Sequence, residues 1–170
     1  MILDWFDTAP RRILALMCLT CIAMFAFGLY LQHVVGLEPC PMCIVQRYAL
    51  VLVAICAGLA SARGQKGWIF SWATLALLAS GFGAFTAARQ TWLQWYPPEF
   101  AMCGRDFYGM IESYSFSRAI PMIFRGSGDC AAVDWTFLGG SIANWSFVAF
   151  TGFALALIWL LVRGVRQTRG

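Results

Sequence analysis

Cys40-Pro41-Met42-Cys43 sets two thiols three positions apart, a spacing that serves a reactive disulfide or two ligands of a metal ion. A disulfide across so short a loop adds little stability, about 2 kcal/mol by chain entropy, so a purely structural reason for the pair is weak. A zinc site needs four ligands, and the chain has one histidine, His33, and no second such motif outside its apolar runs. Redox chemistry is therefore the leading reading for Cys40 and Cys43, with metal binding and structural bracing behind it. Cys103 and Cys130 are also set among polar residues, and a bond between them closes a loop of 28 residues, worth roughly 3–4 kcal/mol. Alone, that pair fits a staple as well as a redox couple. Beside an exposed CxxC the balance moves to redox, because neighbouring disulfides exchange by thiolate attack. Cys18, Cys21 and Cys56 lie within apolar runs, where cysteine packs as a small hydrophobe.

The elements that must carry these residues are legible in the composition. Of 170 residues, 61% are hydrophobic and 12% charged, against about 45–50% apolar and about 25% charged in soluble domains. The apolar residues gather into four runs, residues 13–31, 44–62, 68–88 and 142–162, each near the roughly 20 residues that cross a bilayer. The first reads as a retained span and not a cleavable signal, since it is too long and His33, Gly36, Pro39 and Pro41 follow it in place of a cleavage pattern. The expectation is an all-α membrane protein: one domain, a four-transmembrane-helix bundle with a long outer loop between the third and fourth helices.

A net charge of +4 does not point to nucleic acid, because the basic residues flank the spans and form no single patch. Arg11 and Arg12 precede the first span, Arg63 and Lys66 sit between the second and third, and Arg163, Arg166 and Arg169 follow the fourth. Positive residues in short loops mark the cytoplasmic side, so both termini and the 63–67 turn are expected inside, with loops 32–43 and 89–141 outside. Cys40, Cys43, Cys103 and Cys130 then share the oxidising face. The long loop holds Trp92, Trp95 and Tyr96 where aromatic rings favour the interface, then Pro97 and Pro98, which stop a helix. Residues 108–124 mix aromatic, aliphatic and polar side chains, as a segment lying in the membrane surface does.

Cys40 and Cys43 fall where the second helix should begin. Pro41 suits a first helical position, and a helix N-terminus favours thiolate over thiol. Arg47 follows Cys43 by four residues, over the same helix face. A charge inside a span is costly and marks function by default; the competing reading is an arginine that snorkels to the headgroups. Electrons from two thiols need an acceptor. No nucleotide-binding pattern is present, an iron–sulfur cluster needs four thiolates held at once, and His33 alone cannot hold haem between two histidines. A lipid-soluble quinone remains, in an apolar pocket of the spans with Arg47 supplying polarity.

The motifs Pro39-Cys40-Pro41-Met42-Cys43, Gln46-Arg47-Tyr48, Leu93-Gln94-Trp95-Tyr96-Pro97 and Ser127-Gly128-Asp129-Cys130 together resemble the disulfide bond formation protein B (DsbB) family. The resemblance runs over nearly the whole chain. It implies a multi-pass protein of the bacterial inner membrane that reoxidises a periplasmic dithiol oxidase, DsbA, and delivers the electrons to ubiquinone or menaquinone. It implies that the DsbA thiolate attacks Cys103 of a Cys103–Cys130 disulfide, that Cys130 is reoxidised through Cys40, and that Cys43 faces the quinone with Arg47 beside it. Some members carry histidine where Gln90 stands, so no quinone contact transfers to that position. Three other readings stand beside this one: a membrane thiol protein that binds or moves soft metal ions through Cys40, Met42 and Cys43; a non-enzymatic scaffold with a stapled loop; and a bundle running electrons in the opposite direction, as in enzymes resembling vitamin K epoxide reductase.

Short spacing and a common face lead us to expect resting disulfides Cys40–Cys43 and Cys103–Cys130. Peptide mapping after alkylation should find these two bonds, and a major bond to Cys18 or Cys56 would overturn the assignment of faces.

Overall fold

Hydrocarbon offers a backbone no hydrogen-bond partner, so each long apolar run closes its own bonds as a helix. The computed structural model describes residues 10–37, 39–97, 131, 133 and 135–169. Four helices carry nearly all of them: α1 (Pro10–His33), α2 (Pro41–Ala62), α3 (Lys66–Trp95) and α4 (Ile142–Arg169). All four are long and apolar enough to cross a membrane, in keeping with the expected all-α bundle. Cys103, Cys130 and the 108–124 segment lie outside the described residues.

The helices outrun the apolar runs that announce them. α3 continues past Ala88 as far as Trp95, because Arg89, Gln90 and Thr91 are polar without being helix breakers. It ends where Pro97 excludes the helical conformation from the residue before it, and the Tyr96 N–H closes the last turn on the Trp92 carbonyl at 2.9 Å. The outer connection therefore begins near residue 96 and not at 89. α1 likewise runs to His33. The chain then reverses at Gly36, whose φ of 81° lies in the left-handed region that glycine enters without a Cβ clash.

α2 packs against both α1 and α3, and α3 against α4. Lipid tails are as apolar as leucine, so close van der Waals fit holds such helices together. Ala49, Ala57 and Ala60 of α2 and Ala73 and Ala76 of α3 supply small buried surfaces for that fit, with Leu14, Met17 and Cys21 of α1 and Phe150 and Leu157 of α4 completing the core. Cys56 is buried in this core and Cys18 packs against it, the positions expected of cysteines acting as hydrophobes. Large side chains such as Leu78, 66% exposed, point outward where lipid takes the place of water.

The two ends of the bundle are fastened differently. At the end holding the 63–65 turn, Arg11 of α1 donates to the Ser61 carbonyl at 2.8 Å and the Ala62 carbonyl at 3.3 Å, satisfying the last acceptors of α2. Trp68 Nε1 donates to the Leu59 carbonyl at 2.6 Å, and the Arg63 guanidinium stands 4.6 Å over the Trp68 ring. At the other end a hairpin leads into α4. Strands β1 (Thr136–Phe137) and β2 (Gly140–Ser141) pair antiparallel, Thr136 opposite Ser141. Leu138 and Gly139 turn it with φ of 49° and 79°, the two positive values of a type I′ turn. Ser141 caps α4 by accepting from the Asn144 N–H at 3.3 Å, and Trp145 Nε1 donates to the Phe137 carbonyl at 2.9 Å.

Gly83 marks the tightest α3–α4 approach, because a Cβ there would fall 2.5 Å from Phe150 Cε1. Gly83→Ala should overpack the buried Phe150 ring and cost about 1–3 kcal/mol. Gly81→Ala meets nothing within 4 Å and should be neutral or slightly stabilising. Thermal unfolding of both variants in detergent checks this contrast; equal midpoints would show that Phe150 yields freely.

Candidate functional site

Cys40 is the N-cap of α2. Its backbone is extended (φ −64°, ψ 160°), Pro41 opens the helix, and the Cys40 Sγ accepts from the Cys43 N–H at 3.3 Å. A sulfur thus takes the place usually held by a serine or aspartate oxygen, at the end of the helix where partial positive charge favours an anion. One turn brings the Cys43 Sγ to 2.7 Å from the Cys40 Sγ. Cys40 is buried and Cys43 half-buried, so the pair is sheltered and the Cys43 sulfur is the better presented.

Two glutamines meet this pair. Gln90, two residues beyond the expected end of the third span, donates through Nε2 to Cys43 Sγ at 3.2 Å and to Cys40 Sγ at 3.3 Å. Its Oε1 accepts from Gln46 Nε2 at 2.6 Å and lies 3.7 Å from the Cys43 thiol. Gln46 and Gln90 are 5% and 4% exposed, so both amides are spent inside the protein. Sequence reasoning named Gln46 only within a motif and set Gln90 aside. The signal that marks both is an uncharged amide near the end of an apolar helix, where a polar group needs a partner on a neighbouring helix.

Arg47 turns inward. Its guanidinium donates to the Gln32 side-chain oxygen and, at 3.0 Å, to the Gly28 carbonyl, both on α1. The guanidinium is thus held by the facing helix. Gly28 lies directly against it: a Cβ there would stand in ordinary contact, 3.6 Å from Arg47 Nε.

These residues share one cavity of about 780 Å³, lined by α1, α2, the outer end of α3, the hairpin and α4. Cys40, Cys43, Gln46, Arg47 and Gln90 form its polar wall, while Met24, Phe25, Leu31, Leu50, Trp145 and Phe150 make most of the rest apolar. Trp135 and Phe137 in its lining stack with ring centres 6.1 Å apart, and Trp135 meets Phe27 of α1 edge-on at 5.8 Å. Arg47 is the charged side chain among the described residues that line it. Met42 is fully buried in place of lining the cavity with the two cysteines. Among the described residues no three His, Cys, Asp or Glu side chains gather as for a metal ion. The arrangement suits two-electron sulfur chemistry facing an apolar molecule with a polar edge.

Known proteins share this sequence over its length. Residues 10–160 match the profile of the family described as Disulfide bond formation protein DsbB. The Disulfide bond formation protein B of Acidovorax sp. (strain JS42) is 78% identical over 164 residues, covering 96% of this chain and 94% of its own. That of Paracidovorax citrulli (strain AAC00-1) is 71% identical over all of this chain and 97% of its own, and that of Aromatoleum aromaticum is 48% identical over 93% and 96%. With four membrane-length helices and a cysteine pair at the head of one of them, the chain belongs to the DsbB family of disulfide-forming membrane oxidoreductases.

Proposed function

We propose that the chain is a quinone-dependent thiol oxidase that reoxidises a DsbA-like periplasmic dithiol protein. The observation that carries the proposal is the sheltered Cys40–Cys43 pair in the wall of an apolar cavity that also holds the Arg47 guanidinium. A soluble electron acceptor has no use for such a cavity. A quinone head group, flat and apolar with oxygens at its edge, fits both the volume and the lining. Cys43 and Arg47 are the residues that would hold it, and when bound it supplies an acceptor for two electrons and two protons.

The chain's own part is sulfur exchange. A partner thiolate attacks Cys103, breaking Cys103–Cys130 and forming a mixed disulfide. The partner's second thiolate displaces Cys103, so the partner leaves with a disulfide and the chain keeps two thiols. Cys130 then attacks Cys40 of an oxidised Cys40–Cys43 pair, and Cys103 resolves that bond. The pair freed as thiols is Cys40–Cys43, where the α2 N-terminus and the Gln90 amide favour the charged sulfur. Arg47 holds a fixed positive charge one turn further along, against the charge that builds as electrons leave.

Orientation follows the same physics. Pro10, Gly64, Lys66 and Arg163 share a second pocket, which gathers the start of α1, the α2–α3 turn and the end of α4 at one end of the bundle. Basic residues concentrated there support a cytoplasmic location for both termini, with the cysteine end facing the periplasm of a bacterial inner membrane.

Anaerobic mixing of purified protein with a reduced dithiol partner and a short-chain quinone should bleach the quinone absorbance in proportion to partner oxidised; no bleaching would defeat the proposal. Arg47→Gln should slow quinone reduction roughly 10- to 100-fold, the loss of one charged interaction of about 1.5–3 kcal/mol, while exchange between the two cysteine pairs persists. Lysine should rescue only in part, as a point charge replaces a planar fork. Native rates in Arg47→Gln would leave the residue a structural tie between α1 and α2. For the outer pair, Cys130→Ser should trap the partner on Cys103, and Cys103→Ser should not; equal trapping by both would reverse the roles.

A further inference from the structure

We infer that Gln90 acts as a catalytic hydrogen-bond donor to both sulfurs of the Cys40–Cys43 pair, and that Gln46 is the positioning residue that aims it. The inference deepens the proposed function and rests on reading Cys40 and Cys43 as a redox pair. One amide group carries two N–H donors and one oxygen. At Gln90 both donors face sulfur, at 3.3 and 3.2 Å, and the oxygen is taken by Gln46 at 2.6 Å. Turning the amide over would present its oxygen to two sulfurs that need donors once either is charged. With Gln46 oriented as it is, that turn would set its donor against the Gln90 NH₂, so both amides would have to turn together.

The consequence concerns which form of the pair is favoured. A thiolate is a strong acceptor, and a bond to it is shorter and about twice as strong as a neutral one; the sulfurs of a disulfide are poor acceptors. Donors from Gln90 therefore stabilise the reduced pair over the disulfide, which makes the disulfide more oxidising toward the thiols that reduce it. Both amides are nearly inaccessible, so water does not replace a donor that is removed. Among the described residues lining the cavity the other charge is Arg47, whose bonds go to Gln32 and Gly28 on α1, so the amide effect is separable from it.

The test is an equilibrium. Full-length protein in detergent, freed of quinone and kept anaerobic, is incubated in glutathione buffers, and the redox state of Cys40 and Cys43 is read by alkylation and peptide mass. Each pair reduced breaks one protein S–S bond and gives two thiols, as two glutathiones lose two electrons and two protons to become one glutathione disulfide. Gln90→Met should shift this equilibrium about tenfold toward the protein disulfide, equivalent to 29.6 mV for a two-electron couple. Gln46→Met should shift it a few-fold in the same direction. The double variant should match Gln90→Met alone, because Gln46 acts only through Gln90. Multiplying single effects, or no shift in either, would overturn the inference. Should Gln46→Met not fold, Gln90→Met alone carries the test, and a wild-type equilibrium there overturns the inference. A pair that forms no disulfide in any buffer would instead defeat the proposed function, so the two failures are distinct.

Discussion

The first turn of α2 has N–H groups with no carbonyl behind them, and the chain has to place something there that accepts hydrogen bonds. It places sulfur. Pro41 removes one of the surplus donors, and the Cys43 N–H is met by Cys40 Sγ, so capping the helix and bringing the two thiols together are one structural act. Everything else at this end is arranged around that choice. α3 runs on to Trp95, which carries Gln90 level with the sulfurs, and α1 runs to His33, which carries Gly28 and Gln32 level with Arg47. A shorter α3 would leave the sulfurs without the amide, and a shorter α1 would leave the guanidinium without its acceptors in a medium that supplies none.

The opposite end does a different job with the same residue types. Arg11 and Arg63 are spent on the carbonyls of α2 and on the Trp68 ring, which ties α1, α2 and α3 at the turn. Arginine is thus used twice as a tie between helices, at Arg11 and at Arg47, and what separates the two is surroundings. Arg11 is exposed among other basic residues. Arg47 is half-buried on the polar side of a largely apolar cavity, where a charge exerts its field over a longer distance.

Much of this was legible in the sequence because it depends on neighbours along the chain. The four spans, the helix start at Pro41, the stop before Pro97 and the shared face of Cys43 and Arg47 all follow from local periodicity and backbone chemistry. The partners of those residues were not legible. Gln90 is 47 positions from Cys43 and Gln32 is 15 from Arg47, and which helices become neighbours at which height is decided by packing. Arg11 reads as a topology marker, yet it is also a helix cap across 50 positions. The hairpin before α4 escaped as well, since two-residue strands carry no alternation and Leu138 is an unusual occupant of a positive φ. α3 outlasts its apolar run because hydropathy falls at Arg89 while helix propensity does not.

The loose side of the bundle has its own meaning. α2 is gripped from both flanks and α3 is locked to α4 through Gly83 and Phe150, while the cavity lies where α1, α2, the outer end of α3, the hairpin and α4 meet. A lipid-soluble molecule, as proposed for this site, would reach that cavity from the bilayer. A molecule entering there never has to leave the bilayer, so the concentration that governs occupancy is its concentration per volume of lipid, far above its value per volume of cell. Weak binding is then enough for a filled site, and weak binding also lets a spent molecule drift off and be replaced. For such a molecule the cavity would be a doorway onto a two-dimensional reservoir, and turnover would depend on the size of that pool as much as on the grip of the cavity.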